Sequence, residues 1–519
     1  MVPINISTWL LALFPVILIL LLMITFKWGG SRAGMLTWLS VQLIASLFFG
    51  ASLTLLKYTY IKAFFLSLDV LLIIWGAMFL YQITNRAGTI QLIGKFLAEL
   101  TENRAFLGIF LGWLFPSFLQ GMGGFGVPVA VSAPLLVSAG FSPTMAVVIA
   151  SIGHGWAITF GSMGSSFKTL MAVTGLSANY LAPFTAILMG MASLLCGLLV
   201  IYLAGGKKHF LKALPLTLLS SLFLSTGQYF LATNNLWVIA ATLPAMGSLI
   251  FGFLYVRFFS KYSKEYLLKR KREKRIEILI ALLPYVLLVA LIIIFNFFPP
   301  IKELFTQYTI SLQFPQLSTA YGFITPAETS KNINLFLHPG TIIIISALLS
   351  FFLLNKKAYL NGDEIMDIVK DTFKSSLNTS ISIFSLVGTA VVMNHTQMTN
   401  VLAVGVSRIF NQEIYSIISP FIGALGAFIT GSNNNSNVLF GNLQLQTAEH
   451  LNLSVALILA AQTAGGALGS IMAPAKVILG CSTVGLIGKE GKVISKLVLY
   501  TSTLILMLGI FTYIISRTQ

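Results

Sequence analysis

Ten apolar runs of about twenty residues constrain this chain more than any other feature. They lie near 8–27, 34–56, 63–83, 180–204, 210–231, 236–258, 277–298, 339–355, 377–394 and 493–515. Runs of this length match the hydrocarbon thickness of a bilayer, where a helix satisfies its own backbone hydrogen bonds. They predict an all-α polytopic membrane protein. Composition agrees: 56% of the 519 residues are hydrophobic and 9% are charged. A soluble domain carries about a quarter charged residues. A soluble enzyme, a disordered chain and a nucleic-acid-binding module are therefore excluded. Residues 8–27 lack a basic leader and a small-residue cleavage pattern, and read as a retained first helix rather than a signal peptide.

The net charge of +17 then reads as topology. The densest basic run is Arg257, Lys261, Lys264, Lys269, Arg270, Lys271, Arg272, Lys274 and Arg275, which the positive-inside rule puts in the cytoplasm. Alternation from there brings 24 basic residues to that side and leaves Lys57, Lys62, Lys302, Lys331, Arg408 and Arg517 on the other. Both termini are then outside. The division expected is an N-terminal membrane repeat with following helices over 1–258, a basic cytoplasmic loop over 259–276, and a C-terminal membrane repeat over 277–519. Two amphipathic stretches, 86–101 and 397–411, are expected to lie along the two membrane surfaces. Cys196 and Cys481 sit in apolar sequence and suit packing rather than a disulfide or metal.

Two further apolar stretches, 104–175 and 414–488, are interrupted by Gly, Ser, Asn and Pro. Irregular backbone at membrane depth survives where protein buries it or where it lines a cavity. The stretches resemble one another. FLQGMGGFGVPVAV from Phe118 aligns with FITGSNNNSNVLFG from Phe428, Ala146 with Ala456 and Ala150 with Ala460. GSMGSSFK (Gly161–Lys168) likewise matches GSIMAPAK (Gly469–Lys476). Because the two copies enter from opposite sides, they predict an inverted-topology repeat with two re-entrant hairpins and broken helices. Such repeats place a substrate between half-helices, whose N-terminal N–H groups suit an anion. Gly121, Gly123, Gly124 and Gly126 would let backbone approach a ligand. Asn433, Asn434, Asn435 and Asn437 supply neutral amides. Tight helix packing is the other reading of these glycines.

Ionisable residues inside a membrane are candidates for function. Lys168 and Lys476 stand at matching places and would attract a carboxylate; each could instead snorkel to an interface. His154 is a candidate proton carrier or a satisfied core histidine. Asp69 is the carboxylate well inside a clear span, able to pair with a lysine, bind a coupling ion or face water near the span's end. Gln120 could hydrogen-bond substrate, whereas Glu449 and His450 read as a solvated turn. There is no HExxH, no P-loop and no clustered carboxylates, so an enzyme and an ATP-driven pump are disfavoured, and no cofactor or metal is expected. A channel is the competing class, since broken helices also line pores.

At these residues the sequence resembles the lactate permease family of bacterial and archaeal membrane transporters. The similarity is carried by QGMGGFGVPVAV (Gln120–Val131), TGSNNNSNVLFGNLQ (Thr430–Gln444) and AGGALGSIMAPAKVILGCSTVGLIGKE (Ala464–Glu490). The resemblance implies a prokaryotic plasma-membrane carrier of lactate and related 2-hydroxymonocarboxylates such as glycolate, coupled to protons. The residues and the resemblance together give a candidate substrate site of Gln120, Gly121, Gly123, Gly124, Phe125, Gly126, Lys168, Ser432, Asn433, Asn434, Asn435, Ser436, Asn437, Gly465, Gly466 and Lys476, with His154 and Asp69 as the residues that could take over coupling in this chain. The family has Glu in place of Gln120, Asp in place of Asn433, Asn in place of His154 and Lys in place of Ser470. Two carboxylates are thus missing, and proton coupling, sodium coupling and uncoupled transport stay open. Six residues turn a helix by about 600°, so Lys476 is not expected on the face of position 470.

Overall fold

The computed structural model describes residues 2–124, 126–259, 272–329 and 333–518. Helices dominate: α1 (Ile6–Ile24), α2 (Gly30–Phe48), α3 (Leu53–Arg86), α4 (Thr89–Ala98), α5 (Arg104–Met122), α6 (Val127–Ser138), α7 (Pro143–His154), α8 (Gly161–Thr174), α9 (Ala178–Thr233) and α10 (Thr242–Phe259). Then follow α11 (Arg272–Phe297), α12 (Pro299–Thr306), α13 (Pro339–Lys356), α14 (Glu364–His395), α15 (Met398–Ile409), α16 (Gln412–Thr430), α17 (Asn433–His450), α18 (Val455–Ile471), α19 (Pro474–Ser482) and α20 (Glu490–Ser516). Eleven candidate spans are long and apolar enough to cross a bilayer, or twelve if the bent α7–α8 pair counts as one. The protein is a multi-pass α-helical membrane protein.

The surface shows where lipid goes. On α1, Leu10, Phe14, Ile17 and Leu21 are exposed at helical spacing, while Ala12, Ile19 and Leu22 are buried on the other face. Such a stripe suits hydrocarbon rather than water. The innermost helices are the interrupted ones: the apolar windows of Arg104–Met122 and Val455–Ser482 are 100% and 94% buried, against 33% for α11 and α20. Trp113 and Trp156 are fully buried there. The indole Nε1 of Trp156 donates to Ser117 Oγ (2.8 Å), which donates to the carbonyl of Gly153 (3.1 Å), tying α5 to α7.

Boundaries differ from the hydropathy reading where local chemistry intervenes. The expected span 34–56 ends at Phe48, and α3 absorbs the rest into one 34-residue helix capped by Ser52. The spans 180–204 and 210–231 form the single kinked α9, broken at Gly206 (φ 60°, ψ −175°). The amphipathic stretches are α4 and α15, which bury one face, Ile90, Ile93 and Leu97 on the former, Val401 and Leu402 on the latter. Most of the basic run 257–275 lies outside the described residues, as do Lys331 and Phe125. Between α12 and α13 the chain forms a nested antiparallel hairpin that hydropathy left unassigned. Thr309 pairs with Asn334, Gln313 with Thr329 and Leu317 with Thr325. Near its tip the Ala320 N–H donates to Gly50 O (2.8 Å), docking the hairpin beside the end of α2.

Candidate functional site

Both interrupted stretches follow one plan: two helices around a tip, then a broken helix. The tip between α5 and α6 turns at Gly126 (φ 90°), and the Gly124 N–H donates to Ser162 Oγ (2.8 Å). Ser162 and Met163 precede Gly164 in left-handed backbone, a conformation that glycine alone adopts freely. This three-residue reversal starts α8 and turns Lys168 away from the axis of α7. In the second stretch Gly431 (φ 72°) ends α16 and Ser432 caps α17, accepting from Asn435 N. The broken helix here is α18–α19. Pro474 holds Ala473 extended (φ −61°, ψ 132°) and restarts the helix.

That break changes the geometry expected for Lys476. The helix does not run on from 470 to 476, so a 600° rotation does not apply. The Lys476 ammonium instead turns back and donates to Ser470 Oγ at 3.1 Å. It borders a cavity of about 290 Å³, walled also by Gly29, Gly30 and Ser31, by Asn378, Thr379 and Ser382 of α14, by Thr430–Ser432, and by Asn435 and Ala475. Three helix N-termini meet there, those of α2, α17 and α19. Gly29 caps α2 with no side-chain hydrogen bond. Each terminus presents about half a positive charge, and the lining contains no carboxylate. The arrangement suits a small anion, with hydroxyls and amides ready for neighbouring polar atoms.

A second cavity, about 370 Å³, lies further along the same two helices. On α14 the lining moves from Ser382 to Val391, Asn394 and His395, and on α17 from Asn435 to Asn442. Seven residues of helix separate the two positions on α17, about 10 Å. The second cavity is also lined by Lys62, Phe65 and Leu66 of α3, by Met171–Thr174 of α8, and by Phe314 and Glu328 of the hairpin. Lys62 pairs with Glu328 and lies 3.1 Å from His395 Nε2.

Beside the first cavity, the start of α17 carries a polar layer. Asn437 Nδ2 donates to Ser166 O (3.0 Å) and Thr463 Oγ1 (2.9 Å), Asn433 Nδ2 to Thr463 O (3.1 Å), and Ser166 Oγ to Asn434 Oδ1. Asn435 Nδ2 reaches Ser382 Oγ (3.0 Å), and Ser436 Oγ donates to Gly423 O (2.6 Å). Of the four asparagines, Asn435 faces the first cavity; the others join α17 to α8 and α18. Lys168 does not share the cavity of Lys476. Its ammonium is 2.8 Å from Asp69 Oδ2, and Asp69 Oδ1 lies 2.9 Å from His338 Nε2. All three side chains are at least nine-tenths buried. His338, at the N-cap of α13, escaped the sequence reading; an ionisable residue just before Pro-Gly and a long apolar run was the available signal.

The remaining candidates border neither of these two cavities. The first tip lies outside both linings: Gly121 sits against Thr242, Gly123 against Tyr81, and Gln120 is buried beside Gly124 and Gly161. Gly465 and Gly466 lie where α18 crosses α16, so close that a methyl at Gly465 would overlap the Pro420 carbonyl. His154 is buried, its Nδ1 2.7 Å from Ala150 O and its Nε2 without a hydrogen-bond partner among the described residues. No group of three metal-ligating side chains occurs among the described residues.

The chain is 28% identical over 482 residues to the L-lactate permease of Bacillus subtilis, covering 85% of this chain and 84% of that protein. It is 26% identical over 544 residues to the Escherichia coli glycolate permease GlcA, covering 97% and 94%. Among solved structures, the YdaH transporter of Alcanivorax borkumensis aligns over 89% of each chain with a TM-score of 0.48 and 14% identity. The family model for L-lactate permease matches residues 8–518, and the chain belongs to that family.

Proposed function

We propose that the protein is a secondary transporter that carries lactate or a related 2-hydroxymonocarboxylate such as glycolate across a prokaryotic plasma membrane, by proton symport through alternating access. One observation carries the reading. The Lys476 cavity combines an ammonium without a carboxylate in its lining, three helix N-termini, and the side chains of Asn378, Thr379, Ser382 and Asn435. The cation and helix ends hold a carboxylate; the amides and hydroxyls suit an adjacent 2-hydroxyl. The relatives named for lactate and glycolate favour this substrate class. With the basic residues inside and both termini outside, the Lys476 cavity faces the cytoplasm and the Lys62 cavity the exterior, as the two ends of one path along α14 and α17.

The test is uptake into proteoliposomes from a panel of monocarboxylates under an imposed pH or sodium gradient. Proton symport predicts accumulation of 2-hydroxy acids with the pH gradient and none with sodium alone. Sodium-driven uptake at fixed pH would replace the proton with sodium. Flux without saturation would indicate a channel.

A further inference from the structure

The Asp69–Lys168–His338 cluster borders neither cavity directly, yet it lies at the floor of the outer one. Phe65 and Leu66 line that cavity, and Asp69 is one turn further along the same face of α3. Met171 and Ala172 line it from α8, and Lys168 is one turn before them. Two residues before Lys168, Ser166 meets Asn434 and Asn437 of α17. The cluster therefore stands at the level that an anion crosses between the cavities.

Its protonation is constrained by geometry. His338 Nδ1 accepts the Gly340 N–H (3.1 Å), so the neutral ring carries its proton on Nε2 and donates it to Asp69 Oδ1. With Asp69 ionised and Lys168 charged, the cluster is neutral overall. Among the described residues no other charged group forms an ion pair with Asp69. Lys62, Glu328 and His395 meet at the far side of the outer cavity. Arg86 faces Asp367 of α14 at the other end of α3. α4, α5 and α11 also touch α3; their described charged residues, Lys95, Arg104 and Glu277, form no ion pair with Asp69.

Resting on the reading of the protein as a monocarboxylate transporter, we propose that this cluster is the coupling site and works by exchange of counter-ions. A proton adds to Asp69 Oδ2, giving the neutral acid, and the Asp69–Lys168 ion pair breaks. The substrate carboxylate takes the vacated place on the Lys168 ammonium. His338 keeps its hydrogen bond to Asp69 Oδ1 and positions the carboxyl. The charge at Lys168 is balanced before and after, and one proton moves with one anion. Neither partner binds well alone. An anion without the proton puts two carboxylates on one ammonium; a proton without the anion leaves a buried ammonium unpaired. The coupling is reciprocal.

The test is Asp69→Asn in proteoliposomes, whose amide imitates the protonated acid. Wild type should accumulate lactate about tenfold per unit of imposed pH gradient, as one proton per anion requires, and its lactate affinity should fall as pH rises. Asp69→Asn should lose pH-driven accumulation altogether while its lactate affinity, read by counterflow, becomes independent of pH. Accumulation at the wild-type level in Asp69→Asn would overturn the proposal, as would loss of counterflow in a protein that still purifies as one species. If Asp69→Asn does not purify, Asp69→Asn/Lys168→Gln, which removes both the proton site and the ammonium that receives the anion, should lose pH-driven accumulation and lactate counterflow together, and survival of either refutes the proposal. Failure of the substrate reading is distinguishable. If wild type exchanges another monocarboxylate but neither lactate nor glycolate, the substrate falls and the coupling test proceeds with that acid. If it exchanges no monocarboxylate, both fall.

Discussion

Replacing Lys476 by Gln isolates the charge that makes the inner cavity an anion site. Lys476 is half-buried, and its hydrogen bond in the structure goes to Ser470 Oγ. A glutamine amide keeps a donor of similar reach, so the helix break at Pro474 and the fold should persist. What is lost is the interaction with a bound carboxylate. Two unit charges 4 Å apart gain about 4 kcal/mol at an effective dielectric constant of 20. Desolvation offsets part of this, and a hydrogen bond to a charged group is worth about 1.5–3 kcal/mol net. That corresponds to roughly a 10- to 150-fold loss of affinity. The assay is the concentration dependence of labelled lactate counterflow, with Lys476→Arg as the charge-retaining control. The reasoning predicts a half-saturation concentration at least tenfold higher for Lys476→Gln and a much smaller change for Lys476→Arg. A value within twofold of wild type for Lys476→Gln would remove the lysine from the site.

Further expectations concern stability and packing. Lys168→Met alone leaves Asp69 charged and buried, and should lower thermal stability in detergent by about 3–5 kcal/mol; adding Asp69→Leu should recover most of that loss. Gly465→Ala puts a methyl against the Pro420 carbonyl and should destabilise by about 1–3 kcal/mol, read as a lower unfolding midpoint. Glu328→Gln removes the partner of Lys62 at a half-open surface position, where ion pairs contribute about 0–1 kcal/mol, so its unfolding midpoint should match wild type within error. A large drop would show that the hairpin is held to α3 chiefly by charge.

Hydropathy made most of the helices legible because lipid enforces length and polarity on any segment that crosses it. The Gly, Asn and Pro interruptions also revealed where helices break, since those residues act on local backbone. What escaped depended on distance or on a broken regularity. Asp69 and His338 are 269 positions apart, and no local pattern joins them. Lys476 was misplaced by helix arithmetic because Pro474 ends the helix that the arithmetic assumes. The hydrogen bonds of Asn433 and Asn437 to α18 and α8 likewise join parts of the chain that no local pattern links. The symmetric lysines looked like one site. The structure assigns them different surroundings, one with a carboxylate partner and one beside a cavity lined without carboxylates. The hairpin over 309–334 was missed because its strands pair for two residues at a time.

The most direct test of the central claim is counterflow of labelled L-lactate in proteoliposomes preloaded with unlabelled lactate or glycolate and held at equal pH on both sides. A 2-hydroxymonocarboxylate carrier predicts transient accumulation of label with either acid inside and none in empty liposomes. Absence of label uptake with both acids, while another anion does exchange, would contradict it.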